Sequence, residues 1–199
     1  MDISLEDFDT HPKKVSRQIV LASGQEAFIR PLRSDDARIL GNYFLSLSQE
    51  TRSLFAPHPF DQETANKLCA EIDSMRDLRM VTLVEEKGQE QIVAYFITRF
   101  YIGESSAKRY KEWGILLNGQ TDCEIAPSVA DDYQKTGLGS LVMTHLTKLL
   151  QELGYKRMIL IGGVQQRNTH AIRFYEKFGF RVAAEFTTRV SNYDMIADL

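Results

Sequence analysis

Gly137 and Gly139, inside the run Gln134-Lys135-Thr136-Gly137-Leu138-Gly139, are the residues whose type and spacing speak most directly of chemistry. Glycine has no Cβ, so it reaches left-handed dihedrals and lets a ligand come close to the backbone. Where such a loop opens a helix, the first helical amides have no intrahelical partner and the helix dipole favours negative charge. The implied chemistry is an anion cradle. The amides around Gly137, Leu138, Gly139 and Ser140 are its donors; Gln134, Lys135 and Thr136 lead into it, the first two able to add side-chain donors.

The elements around the loop fit that role. Residues 121–129 read as a strand, and 140–153 as an amphipathic helix without a breaker until Gly154. Upstream, Ile19-Val20-Leu21 and Ala27-Phe28-Ile29 flank Ser23-Gly24 as a short strand pair or one bent strand, ended by Pro31. Ser34, followed by Asp35 and Asp36, is read as an N-cap opening a helix to about Ser46. Ser48 begins a short helix that stops before Ala56-Pro57-His58-Pro59, and Asp61 caps another through about Ile72. Residues 80–85 and 91–101 form a hairpin about Lys87-Gly88-Gln89. The segment 103–120 is polar, then carries Trp113, Ile115, Leu116 and Leu117; it reads as a loop with room for a short strand or helix. Residues 156–161 are an apolar strand, 168–178 a helix stopped by Gly179, and 180–187 and 193–199 two closing strands.

These elements predict an α+β domain of three-layer α/β type: a mixed, mostly antiparallel sheet of six or seven strands flanked by helices. Residues 1–16, polar and aperiodic, are expected to be a flexible N-terminal arm, leaving 17–199 as a single domain.

Two familiar phosphate loops do not match. A Walker loop needs Gly-Lys followed by Ser or Thr, whereas here Lys135 and Thr136 precede the glycine. A Rossmann fingerprint needs a third glycine and an acid about twenty residues on, where this chain has Ser140-Leu141-Val142 and Ile159-Leu160-Ile161. The matching pattern is Gln/Arg-x-x-Gly-x-Gly/Ala. It is preceded by Val129-Ala130-Asp131-Asp132-Tyr133 and followed by Asn168-x-x-Ala171-x-x-x-Tyr175-x-x-x-Gly179-Phe180. With these motifs in this order, the chain resembles the GNAT superfamily of N-acetyltransferases across roughly residues 18–199. Cys123-Glu124-Ile125-Ala126 and Leu45-x-Leu47-Ser48-x-Glu50-Thr51-Arg52 further resemble bacterial Pat-type protein lysine acetyltransferase domains.

The resemblance implies a GNAT fold and acetyl-CoA as co-substrate, with its pyrophosphate on the 134–140 loop and its pantetheine arm beside a splayed end of the 121–129 strand. The Val129 amide then donates to the thioester carbonyl, and Pro127 is either part of a disrupted ladder or a plain edge-strand proline. Tyr175 stands where the family's general acid protonates the departing sulfur; a phenol near its reference pKa can donate at neutral pH. Asn168 either holds the cofactor's amide arm or caps its helix. Glu124 stands where Pat-type enzymes place a catalytic glutamate, with a surface strand residue or a salt-bridge partner as the bland reading. Asp131 and Asp132 read as solvated loop acids, and His58 as part of a rigid turn near the acceptor entrance. Trp113, Tyr110, Phe55 and Phe60 are candidates for an acceptor groove or for the core.

Composition narrows the partners. Among 199 residues, 43% are hydrophobic and 26% charged, and the net charge of −3 provides no general field for nucleic acid or membrane, so any anion site must be local. Cys69 and Cys123 are far apart and fit small buried hydrophobes in a reducing compartment. His145 and His170 have no metal-type spacing, and no metal is expected. There is no apolar run of the ~20 residues that span a bilayer, and the start Met1-Asp2-Ile3-Ser4-Leu5-Glu6 does not resemble a signal peptide; a cytoplasmic location follows as the expectation. The expected activity is acetyl transfer from acetyl-CoA to a primary amine in a ternary complex. A protein lysine or N-terminus and a small-molecule amine both remain open as acceptors, as do a homodimer and a non-catalytic acyl-CoA sensor.

Overall fold

Continuous apolar runs along the central strands and a single helical crossover build the sheet in this computed structural model, which describes residues 3–55 and 57–199. Met1 and Asp2 of the acidic start, and Ala56 before the Pro-His-Pro turn, lie outside the described residues. Nine strands join one sheet: β1 (Arg17–Val20), β2 (Glu26–Pro31), β3 (Asp77–Glu86), β4 (Gln89–Arg99), β5 (Asp122–Val129), β6 (Arg157–Leu160), β7 (Val164–Gln165), β8 (Arg181–Thr187) and β9 (Ser191–Asp198). The first five lie side by side in chain order, β6 follows β5, and β9 pairs with β6, β7 and β8. All neighbours are antiparallel except β5 and β6. A parallel pair needs a crossover, and α7 (Leu138–Glu152) supplies it. The fold class is the mixed α+β one expected. The strand count exceeds six or seven because β1 and β2 are a true pair and β7 is a two-residue strand too short to leave a pattern.

The central strands are buried on both faces, as shown by the unbroken buried run from Ile92 to Arg99's neighbour Thr98 on β4. On one face, Phe96, Cys123 and Ile125 meet Val142, Met143, Leu146 and Leu150 of α7 and Tyr175 of α8 (Thr169–Lys177). On the other, Val81, Tyr95, Ile97 and Ala126 meet Leu40, Tyr43 and Phe44 of α3 (Ala37–Ser46) and Ala65 and Cys69 of α5 (Gln62–Ala70). Burying these side chains is the main driving force for the three layers.

Three segments depart from the sequence expectation. Residues 7–15 are not a loose arm: α1 (Asp7–Thr10) and α2 (Pro12–Val15) bury Phe8 and Val15 in the core, and His145 Nε2 donates to the Val15 carbonyl at 2.8 Å. Two four-residue helices with one anchor each leave no readable period. The undecided 103–120 segment contains α6 (Glu104–Glu112), a polar helix held by Tyr110 Oη donating to Met195 O at 2.8 Å and by Arg109 gripping Asp194 with two bonds of 2.7 and 2.9 Å. At the start of α3 the organising residue is Asp36, not Ser34. A 3-10 turn covers Ser34–Asp36, and the Asp36 carboxylate accepts the Arg33 amide at 2.8 Å and the Arg30 guanidinium at 2.6 and 2.7 Å. Ser48 and Asp61 do cap α4 (Gln49–Leu54) and α5, accepting the amides of Thr51 and Thr64.

Helix α4 is fastened at both ends of its short length. The Asp131 carboxylate accepts Ser48 N and Oγ, both at 2.8 Å, and Thr51 Oγ1 at 2.6 Å. Thr51 Oγ1 in turn accepts Gln134 Nε2 at 3.2 Å, and Gln165 Nε2 donates to Ser53 O at 2.9 Å. Asp131 is therefore a latch rather than a solvated acid; its partners lie some eighty positions away, where sequence spacing carries no signal. Partial burial works against its charge, but the bonds from Thr51 and Ser48 outweigh that and hold its carboxyl below the ordinary range.

Two stability predictions follow from these ion and hydrogen-bond contacts. Arg30 and Asp36 are both buried, so Asp36→Asn leaves an uncompensated guanidinium and should cost about 3–5 kcal/mol. The measurement is a lowered urea midpoint at unchanged slope; an unshifted midpoint contradicts the account. For Asp131, a folded pKa held below the ordinary 3.8 means its contribution is present above that pH and lost as pH falls through the folded value. The stability deficit of Asp131→Asn should be full at pH 7 and shrink below about pH 4, whereas a deficit independent of pH refutes the assignment.

Candidate active site

Strands β5 and β6 are paired from Asp122–Arg157 to Ile125–Leu160, with a last bond from Ile161 N to Ile125 O at 2.9 Å, and then they part. Gly162 and Gly163 turn the chain away with φ of 69° and 70°, before β7 resumes along β9. A Cβ on Gly163 would fall 2.6 Å from the Tyr193 carbonyl oxygen, so only glycine fits. A double glycine directly after an apolar strand is a break signal legible in the sequence itself.

Alternation along β5 determines what the open edge presents. Ala130 N donates to Val93 O on β4 at 2.9 Å, and Val129 stands opposite Ala94. In an antiparallel ladder the neighbouring amide faces the opposite way, so Val129 N–H points to the gap, as does the Pro127 nitrogen. Pro127 sits in register opposite Phe96 without costing β4 a bond. It does not disrupt that ladder; its missing N–H belongs to the edge that has no partner strand. β4 bulges at Val93 against β3, between the pairs Thr82–Ala94 and Leu83–Ile92.

The gap is a cleft of about 670 Å³. It brings together Val129, Gln134, Lys135, Gly137, Gly139, Ser140, Asn168 and Tyr175 of the expected set. Gly137 has φ +92° and Lys135 φ +63°, and the Gly137 carbonyl accepts Ser140 N and Leu141 N as α7 begins. Gly139 lies so near Phe174 and Val129 that a Cβ would be 3.5 Å from each. Leu138 and Thr136 do not line the cleft: Leu138 is buried in the core, and its amide has a long 3.5 Å contact with Thr136 Oγ1. Thr136 spends its hydroxyl proton on Tyr133 O. The Gln134 amide donates to Val129 O at 3.1 Å and to Thr51, so it braces the loop. Asn168 caps α8, its Oδ1 accepting Ala171 N at 3.1 Å, while also lining the cleft.

Residues outside the expected set also line the cleft, two of them cations. His170, Arg173, Phe174 and Lys177 line the cleft from α8, and Lys177 Nζ donates to Ser140 Oγ at 3.2 Å. Their spacing is that of one helix face, a signal available once the helix was placed. With Lys135, two α8 cations gather at the α7 N-terminus, a local positive field in a chain of net charge −3.

Tyr175 is buried against Phe174 and Phe180 and lines the cleft. Its hydroxyl has no hydrogen-bond partner among the described residues, and burial pushes its pKa well above the ordinary tyrosine value, keeping the proton on. Glu124 stands apart. It is 1% exposed, with Oε2 3.8 Å from Arg99 Nη1 and Oε1 without a partner among the described residues. It does not line the cleft. On a strand its side chain shares a face with Ala126 and Ser128, and only Ser128, about 13 Å farther along, reaches the opening. His58 finds partners in Pro59 O at 2.7 Å and Tyr95 Oη at 3.2 Å, packed among Phe44, Phe55 and Phe60; burial lowers its pKa. Of the proposed groove aromatics, Phe55 lines the cleft, Tyr110 and Phe60 are core, and Trp113 is exposed elsewhere. Among the described residues no group of three or more His, Cys, Asp or Glu is placed to hold a metal, both cysteines are free and buried, and no helix is long and apolar enough to cross a membrane.

An anion cradle at one end, an unpaired strand edge along the middle and a protonated phenol beside it suit a ligand with a phosphate head and an extended amide-bearing arm. Comparison with known proteins agrees. The profile of the Acetyltransferase (GNAT) family matches residues 47–180. An acetyltransferase of Pseudomonas aeruginosa is 28% identical over 155 residues, 74% of this chain and 72% of its own. The solved GNAT domain of S. lividans PAT superposes with a TM-score of 0.71 at 18% identity, over 94% of this chain and 99% of its own. AAC(6')-Ib, solved with parmomycin and acetyl-CoA, gives 0.63 at 16% identity over 86% and 93%. The two structures share the fold, the profile covers most of the chain, and the protein belongs to the GNAT family of acetyltransferases.

Proposed function

We propose that this protein transfers an acetyl group from acetyl-CoA to a primary amine by direct attack within a ternary complex. The observation that carries the reading is the Tyr175 hydroxyl, protonated and unpaired in the cleft that the glycine loop closes. The loop amides from Gly137 to Gly139, with the Ser140 hydroxyl and the cations Lys135, Arg173 and Lys177, hold the diphosphate. The pantetheine arm lies along the open edge of β5 as an added strand. Since Pro127 has no N–H, Val129 is the donor that edge offers to the thioester oxygen as charge develops there. The neutral amine attacks the carbonyl carbon, the C–N bond forms and the C–S bond breaks, and Tyr175 gives its proton to the leaving sulfur. The amine's surplus proton passes to solvent at the cleft mouth, because Glu124, the base the sequence offered, is buried outside the cleft.

Glu50 and Thr51 of the Pat-like segment line the cleft, and that resemblance supports an amine carried on a protein, a lysine or N-terminus; a small amine is the other acceptor class. The buried free thiols of Cys69 and Cys123 support a reducing, cytoplasmic setting.

Replacing Tyr175 by Phe should lower kcat by about a hundredfold while leaving the acetyl-CoA Kd within about twofold, as checked by thiol release and calorimetry. Gly137→Glu, which forces a side chain to φ +92° and sets a carboxylate against the diphosphate, should abolish acetyl-CoA binding. An unchanged kcat in Tyr175→Phe sinks the acid assignment. Acetyl-CoA binding without thiol release for any amine would favour a non-catalytic acyl-CoA sensor.

A further inference from the structure

Glu50 and Asp131 are the carboxylates that line the acetyl-CoA cleft among the described residues. Asp131 is consumed by Ser48 and Thr51. The Glu50 carboxylate is exposed and makes no hydrogen bond or ion pair among the described residues. Its backbone is nonetheless fixed. Ser48 caps the helix, the Asp131 latch holds the first turn, Gln165 holds Ser53 O, and Arg52 donates to Leu45 O and Leu47 O. A carboxylate without a partner, carried on a fixed backbone at the rim of a cleft, is free to bind the opposite charge.

A second cleft of about 560 Å³ adjoins the first, between α4 and the start of α8. Glu50, Leu54, Asn168 and His170 line both, so Glu50 stands at their junction. One cleft has the features of a donor channel; the other opens into it past Glu50, with no other acid in its lining among the described residues. Arg167 and His170 face Glu50 across this opening, and neither is within ion-pair distance of it.

We infer that the adjoining cleft is the acceptor's route to the thioester and that Glu50 is its ammonium anchor, selecting amines that arrive as cations. This rests on the transferase reading above and deepens it. A carboxylate at the junction binds the charged amine by a charge-assisted hydrogen bond and sets its nitrogen near the end of the β5 edge before the proton is lost. Leu54, lining both clefts, offers apolar surface for the methylene stem that carries such an amine.

The experiment is steady-state thiol release by the full chain. The acceptor is the primary amine turned over fastest in a panel of lysine peptides, polyamines and amino acids. Loss of one charge-assisted bond should raise the acceptor KM about tenfold or more in Glu50→Gln, less in Glu50→Asp and most in Glu50→Lys. The KM for acetyl-CoA, itself an anion, should not rise along that series. A purely structural role would raise both constants or follow the melting temperature instead. An acceptor KM that ignores the charge at position 50 while the parent enzyme turns over normally overturns the anchor and leaves the transferase reading standing. A parent chain that binds acetyl-CoA yet releases no thiol with any amine overturns both.

Discussion

Strands β5 and β6 share hydrogen bonds as far as Ile125 and Ile161, and the loss of pairing beyond that point is what the rest of the molecule arranges and uses. Both strands carry their own cause for parting. β6 runs into Gly162 and Gly163, whose left-handed conformations turn the chain aside. β5 has Pro127 at the position facing the gap, where no donor exists to extend the ladder. An unpaired edge inside a folded domain costs free energy unless something satisfies it. Here the Val129 carbonyl is met by Gln134, and the Val129 amide is left for a ligand.

The surrounding helices stabilise that opening from both sides. α7 and α8 pack on one face and place the glycine loop, Tyr175 and the cations Lys135, Arg173 and Lys177 about it. α4 is tied to the loop through Asp131, Thr51 and Gln134. A chain of net charge −3 thereby gains a cationic mouth on one wall and keeps a free carboxylate, Glu50, on the other. Opposite charges on the walls of one cleft are what the proposed anionic donor and cationic acceptor require.

Much of this was legible in the chain because it is local. The glycine loop, the helices at 140–153 and 168–178, and the caps Ser48 and Asp61 each announce themselves within a few residues, and the loop with Val129, Asn168 and Tyr175 does converge on one cleft. What escaped was set by distant partners or weak periodicity. Asp131 depends on Ser48 and Thr51, far off in sequence, and α6 is too polar to show a buried stripe. The strand that carries Glu124 is legible locally, yet the face it occupies and its distance from the opening emerge only from the register of β5 against its neighbours.

The central claim, that the open edge of β5 receives the acyl-CoA arm, is tested most directly by amide chemical shifts of the labelled protein during titration with acetyl-CoA. The account predicts that Val129 N–H moves downfield as it gains an acceptor, together with the amides from Gly137 to Gly139, while Tyr110 and Met195, at the contact between α6 and β9, stay in place. Saturable binding with the Val129 amide unmoved would contradict it.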